Sequence, residues 1–304
     1  MRAPAGNRSA VGVALVIGSA ISFGTLGVFG KLAYRLGLTT PQLLSYRFGV
    51  AAVLLWLAAA AVHQGTPPRR SLIGLVIMGG AGYVAQSASY FSALHFIPAS
   101  TTALLLYTYP VVVTLLAAAL FGEPLGRMKL GALGLSALGT VLVVQAQLHA
   151  ASPIGIILGL GSAAFYSGYI LFGSRLLPGL PPVSATATVM TSAALVWSLY
   201  AAISGQLLVA WTSPRLALIA GFAVLGTTIP VLTFIIGLPL VGASRAAILS
   251  TFEPASTVAL AVIILGETAS PFQWIGGALI LASVLVLEGS GWRASRVLAQ
   301  GTHE

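Results

Sequence analysis

The side chains in this chain that could do chemistry are few, and their spacing suits binding better than bond-breaking. Tyr83, Gln86, Ser87 and Tyr90 fall within one arc of about 100° if the segment is helical. Two phenols and an amide on one face can stack on an organic ring and hydrogen-bond its polar end. Glu253 lies deep in an apolar run beside Pro254, with Ser250 and Thr257 on the same helical face at i−3 and i+4. A carboxylate in that setting has two uses. It can carry a coupling proton, or, when neutral, it can cap the Ser250 carbonyl that Pro254 leaves without a donor. Tyr109 stands before Pro110 as Glu253 stands before Pro254, which favours the capping, helix-break role.

Further polar or aromatic stripes are Ser19, Ser22, Phe23 and Leu26; Ser162, Phe165, Tyr166 and Tyr169; and Thr227, Pro230 and Phe234. Of these, Ser22, Phe23, Tyr166, Tyr169 and Thr227 join Tyr83, Gln86 and Tyr90 as the expected solute contacts. Pro230, like Pro110 and Pro254, removes a backbone donor in mid-run and is expected to break its helix. Ser19 and Ser162, beside glycines, read as small packing contacts. Arg47 has two options, a structural one and capture of a substrate carboxylate. A structural cation that snorkels outward or pairs with a carboxylate is the favoured one.

Catalysis finds little to work with. The chain has no Cys and no Asp, its five acids all being Glu. Aspartyl intramembrane proteolysis needs two Asp. His63, His95, His149 and His303 fall at run ends or in tails, so no serine gains a buried base. There is no HExxH and no His or Glu pair with metal-ligand spacing. No enzyme, metal site or cofactor is expected.

The elements that must hold these stripes are membrane helices. The 304 residues are 58% hydrophobic and only 6% charged, against about 25% charged in soluble domains. Ten runs approach the ~20 apolar residues needed to cross a bilayer: 11–33, 41–62, 72–94, 99–121, 128–147, 154–175, 184–204, 215–236, 243–265 and 271–289. Val50–Val62 and Val111–Phe121 are continuously apolar, unlike the alternating strands of a β-barrel. The first run shows no cleavage site and is taken as the first span. The net charge of +9 is scattered over short loops, which excludes a nucleic-acid face. With both termini cytoplasmic, ten basic residues (Arg2, Arg8, Arg69, Arg70, Arg127, Lys129, Arg175, Arg245, Arg293, Arg296) lie inside and three (Lys31, Arg35, Arg215) outside. That bias fixes the expected orientation.

The chain repeats itself. At an offset of 144 residues, Leu94–Glu123 falls on Leu238–Glu267 with ten of thirty positions identical, among them Ser100/Ser244, Pro110/Pro254, Gly122/Gly266 and Glu123/Glu267. Gly18-Ser19-Ala20 likewise matches Gly161-Ser162-Ala163. Residues 1–150 and 151–304 are therefore expected to form two five-helix repeats. Five being odd, the second repeat enters the bilayer from the opposite side, an arrangement recurrent in secondary transporters.

Pro98-Ala99-Ser100, Tyr109-Pro110, Phe121-Gly122-Glu123 and Gly131 resemble the EamA-type signature of the drug/metabolite transporter superfamily. Ala243-Ser244, Glu253-Pro254, Leu265-Gly266-Glu267 and Gly276 repeat it, and Arg47-Phe48 suits it. The resemblance implies a ten-helix bundle with spans 1, 3, 4, 6, 8 and 9 around a central cavity and spans 5 and 10 outside. It implies export of amino acids or other metabolites, one subgroup exporting aromatic amino acids. Nucleotide-sugar carriers need basic residues in the cavity, and cation exporters of the superfamily use a Glu in span 1, which this chain lacks. Those remain the alternatives within the superfamily, with an intramembrane enzyme more remote. The expectation is thus an all-α, multi-pass protein of the bacterial inner membrane that exports amino acids, aromatic or other neutral ones. Its partners are a small-molecule substrate and lipid; the sequence leaves the oligomeric state open, a monomer being one form.

Overall fold

Apolar runs of this length leave the backbone no partner but itself, which in lipid dictates helices. The computed structural model describes residues 5–93, 96–97, 102, 105–144, 152–265 and 270–300, and these are helical throughout apart from turns and short connections. Among the described residues, six helical stretches are long and apolar enough to cross a membrane: Ser9–Arg35, Thr40–Ala61, Arg69–Ala93, Pro153–Leu176, Pro182–Ile203 and Ser213–Val241. Tyr109–Phe121 and Trp274–Val286 are shorter apolar helices. Large side chains such as Leu57, Leu120, Ile157, Leu195, Ile263 and Leu285 point outward, which suits a hydrocarbon surround.

We number the α-helices in chain order. The first half holds α1 (Ala5–Phe23), α2 (Leu26–Arg35), α3 (Thr40–Ala61), α4 (Arg69–Ile77), α5 (Val84–Ala93), α6 (Tyr109–Phe121) and α7 (Arg127–Val144). The second holds α8 (Pro153–Leu176), α9 (Pro182–Ile203), α10 (Ser213–Ala223), α11 (Ile229–Val241), α12 (Ala243–Ser250), α13 (Phe252–Leu265) and α14 (Pro271–Gln300). Two π-helical segments, Met78–Tyr83 and Val224–Thr228, join α4 to α5 and α10 to α11. Proline sits in the first turn of α3, α6, α8, α9 and α10, where helix-terminal N–H groups lack helical acceptors anyway; Pro230 of α11 instead follows the π segment within one helical stretch. Gly122 ends α6 in the left-handed conformation at φ +66°.

Helices lie along the expected runs among the described residues, six of them long and apolar enough to cross a membrane, and their limits differ from expectation for local causes. The first is broken at Gly24–Thr25, and the ninth at Thr251. A Cβ on Gly24 would lie 2.8 Å from Ser256 Cβ and 3.1 Å from the Thr257 backbone nitrogen, so the first break rests directly on the ninth span. The eighth runs on to Val241 through Pro239, and the tenth to Gln300. The expected fourth span, 99–121, falls partly outside the described residues; the described part is α6, preceded by a turn at Tyr107–Thr108.

The helices pair across the two halves. α1 packs on α11, α5 on α8, α3 on α9, α6 on α12, and α7 on α14. Exchanging the halves leaves this set unchanged. α7 and α14 pack chiefly on each other, the outer position expected for spans 5 and 10. The connections gather at two ends. Glu123 contacts Lys129 and Ser244, Arg245 contacts Ser9, Arg175 stacks over Phe121, and Gln64 accepts from the backbone of Val183 and Ser184. At the other end Arg215 donates to the carbonyls of Leu36 and Ala210, while Tyr46 and Gln42 donate to those of Leu207 and Leu208.

The glycines divide by what surrounds them. Gly79 is indispensable, since a Cβ there would sit 2.1 Å from the Val189 carbonyl oxygen of α9. Gly155 and Gly159 pack on Ile97 and Leu105. Gly30, by contrast, faces open space, so close packing does not explain it.

Candidate functional site

The interruptions assemble one cluster. The π segment Met78–Tyr83 ends on Tyr83, whose ring lies 5.5 Å from Tyr169 of α8. Tyr169 stacks on Tyr166 at 6.0 Å, one turn earlier on α8. Tyr166 meets Tyr109 edge-on at 4.8 Å, and Tyr109 lies 6.5 Å from Tyr107. The hydroxyl of Tyr107 faces the carboxyl of Glu253 in the first turn of α13. Centroid separations of 4.5–7 Å in tilted and edge-on geometry are those at which aromatic pairs attract. The cluster spans both halves, with Tyr83, Tyr107 and Tyr109 from the first and Tyr166, Tyr169 and Glu253 from the second.

Accessibility within the cluster is graded. Tyr83, Tyr109 and Tyr169 are buried, whereas Tyr107, Tyr166, Tyr90, Gln86 and Glu253 keep part of their surface. Tyr90 meets Phe91 edge-on at 5.6 Å and, like Tyr83, Tyr107, Tyr109 and Tyr166, lies within electrostatic reach of Glu253. Tyr109 carries a buried hydroxyl without a hydrogen-bond partner among the described residues.

Arg47 does not snorkel. It is 5% exposed, with its guanidinium 4.5 Å from the Phe48 ring and 4.8 Å from that of Phe222 on α10, and it faces the Tyr83 hydroxyl. Two ring faces attract a desolvated cation by about 1–2 kcal/mol. No described carboxylate pairs with it, so neither snorkelling nor an acidic partner holds it in place. Arg47 thereby pins α3 to α10 and backs the cluster through Tyr83.

The remaining expected contacts lie beside the cluster. Phe23 is buried in the core. Thr227 is fully buried, and its hydroxyl donates to the Phe222 carbonyl at 3.2 Å. Ser22 has a defined task. Ile229 N–H bonds back five residues to the Val224 carbonyl, the π register. In that register the next acceptor, Leu225, would need an N–H from residue 230, which is proline. Ser22 Oγ donates to that carbonyl at 2.5 Å. Ser19, expected as a bare packing contact, donates to the Pro230 carbonyl at 2.7 Å.

Pro110 and Pro254 begin helices, whereas Pro230 lies within a longer stretch. α12 ends at Ser250, and Pro254 lies in the first turn of α13; Pro110 holds the same place in α6. Pro254 therefore deprives no continuing helix of a bond, and Glu253 lies against the Tyr107 hydroxyl. Tyr107, Phe48 and Phe222 are absent from the expected contacts. Tyr107 is hidden by helical periodicity, since positions 107 and 109 of a straight helix point to opposite faces; the turn at Tyr107–Thr108 brings both to the cluster. Among the described residues no group of three or more acidic or His side chains could hold a metal. An apolar cavity of about 360 Å³ between α3 and α9, lined by Tyr46, Val53 and Ser198 among others, includes none of the cluster.

A cross-repeat cluster at paired helix breaks is the setting in which secondary transporters bind solute. The EamA-like transporter family matches residues 10–145 and again 153–288. The chain belongs to the EamA-like transporter family. It is 30% identical over 288 residues to an uncharacterized transporter of Archaeoglobus fulgidus, covering 93% of this chain and 96% of that one. It is 26% identical over 279 residues to the uncharacterized transporter YcbK of Bacillus subtilis, covering 88% and 89%. The uncharacterized inner membrane transporter YicL of Salmonella typhimurium is 24% identical over 301 residues, covering 94% and 97%. A solved crystal structure superposes with a TM-score of 0.81 at 21% identity, covering 94% of this chain and 99% of that one, a likeness of fold. This EamA-like protein is thus an all-helical, multi-pass membrane protein with two EamA repeats and a transporter's family.

Proposed function

We propose that this EamA-like protein exports small organic metabolites, amino acids foremost, across the bacterial inner membrane by alternating access. On this reading it has ten spans in two inverted five-helix repeats, with both termini cytoplasmic, and it is not an enzyme. The observation that carries it is the tyrosine–Glu253 cluster, drawn from both halves and set where the spans are interrupted. Aromatic faces and hydroxyls can hold an organic solute without a fixed stoichiometry of charges. The inversion is supported by helix pairs that map onto themselves when the halves are exchanged, and by the ten-to-three basic-residue bias. The same bias assigns the end holding Glu123, Arg175 and Arg245 to the cytoplasm.

A nucleotide-sugar substrate is disfavoured because Arg47, the one buried cation at the cluster among the described residues, is already held between two rings. Reconstitution into liposomes tests the proposal. Exchange of radiolabelled phenylalanine or another neutral amino acid, absent from protein-free liposomes, is expected. Flux confined to nucleotide sugars, or no flux of any amino acid, amine or sugar nucleotide, overturns it.

A further inference from the structure

Resting on that reading, we propose that Glu253 and the rings of Tyr107, Tyr109 and Tyr166 form a subsite for an organic ammonium group, the amino end of the transported solute.

Glu253 begins about ten residues into the ninth span, ~15 Å at 1.5 Å per residue, near mid-membrane. A carboxylate at that depth requires a partner, water or a proton. No described Lys or Arg supplies the charge: the described ion pair is Lys129–Glu123 at one end of the molecule, and Arg47 is held between Phe48 and Phe222. The group set against Glu253 is the hydroxyl of Tyr107, a neutral donor and not a cation. Glu253 keeps part of its surface accessible.

The walls select its sign. Tyr107, Tyr109 and Tyr166 form a connected set, 6.5 Å and 4.8 Å apart between centroids, and the faces of such rings carry the negative part of the quadrupole. An ammonium against Glu253 would gain ion pairing and cation–π attraction together. A carboxylate or phosphate would meet repulsion from both. Glu253, Tyr107 and Tyr166 keep accessible surface on this wall, and the buried ring of Tyr109 backs them. Span 1 carries no acid, so Glu253 on span 9 supplies the charge that an amine needs.

The test is direct binding to the purified full-length protein in nanodiscs, by calorimetry, with three probes of one size: 2-phenylethylammonium, L-phenylalanine and 3-phenylpropionate. The two amines are expected to bind and the acid, which lacks the amino group, to bind at least about tenfold more weakly. Glu253→Gln, which keeps shape and hydrogen bonding, is expected to weaken amine binding about tenfold or more while its unliganded thermal midpoint stays near wild type. Should that variant misfold, the three-probe comparison on the wild type still reads the selectivity. Preference for phenylalanine over the simple amine marks an amino-acid site, and the reverse a cation site; both carry the subsite. Phenylpropionate binding as tightly as the amines, absence of binding by all three, or a folded Glu253→Gln that keeps amine affinity within about twofold overturns it. Flux of an acidic or uncharged solute without amine binding overturns the subsite and leaves transport standing. Amine binding without flux of any solute does the opposite.

Discussion

The carboxylate of Glu123, at the end of the fourth span, accepts a 2.6 Å hydrogen bond from Ser244, at the start of the ninth. These are signature residues of opposite repeats, and Lys129 completes the contact with an ion pair at 3.2 Å. The symmetry-related pair, Ser100 and Glu267, lies outside the described residues. A charge-assisted bond, partly open to water, should couple the two by about 1 kcal/mol. Thermal unfolding of Glu123→Gln, Ser244→Ala and the double variant in detergent would measure it. Strictly additive losses would mean that the contact ties nothing together.

Gly79 and Gly80 are adjacent in the π segment but differ in surroundings. A Cβ at 79 collides with the Val189 carbonyl at 2.1 Å, whereas at 80 the nearest atom is 3.6 Å away. Gly79→Ala is expected to lose about 2 kcal/mol or more through overpacking, with lower yield and midpoint. Gly80→Ala should behave as wild type. Equal tolerance of both would displace the π segment from α9.

Tyr166 bridges Tyr169 and Tyr109 and keeps accessible surface. Tyr166→Ala should lower apparent solute affinity several-fold, the loss of about 1 kcal/mol of stacking. Tyr83 is buried against Phe48 and Tyr169, so truncation there would cost stability as well. Tyr83→Phe is the informative change, removing the hydroxyl that faces Arg47. Unaltered flux in Tyr166→Ala, Gln86→Ala and Tyr83→Phe would remove all three from the solute's path.

The proposed orientation puts residues 205–213 outside. A cysteine at Gly205, in a chain that has none, should react with an impermeant maleimide in intact cells. A reporter fused after Glu304 should be active only as a cytoplasmic fusion. Labelling of Gly205→Cys in inverted vesicles alone would turn the molecule over.

Composition is enough to read helices and membrane, because an apolar run has few other fates in lipid. Span limits at Thr40–Ala61 and Pro182–Ile203 lie within two residues of the sequence expectation, since proline marks each start. The Tyr83, Tyr166 and Tyr169 stripes are visible by periodicity, and their rings lie together in the structure. A regular period cannot show a departure from itself. Each π segment rotates the helix beyond it, and the Tyr107–Thr108 turn lets residues two apart share a face. Arg47 escapes a sequence reading for another reason: beyond the neighbouring Phe48, its partners come from other spans, Phe222 lying 175 positions along the chain. Nothing local to Arg47 announces them.

The serine caps on the eighth span have an electrical consequence. Where π register and proline together orphan the Leu225 carbonyl, Ser22 covers it, and Ser19 covers Pro230 beside it. Uncapped carbonyls in a membrane interior recruit water, and a file of water conducts protons. With hydroxyls seated on them, these two carbonyls need no water. The span can hold a π segment and a proline in the membrane interior with fewer bare acceptors along which a proton could hop.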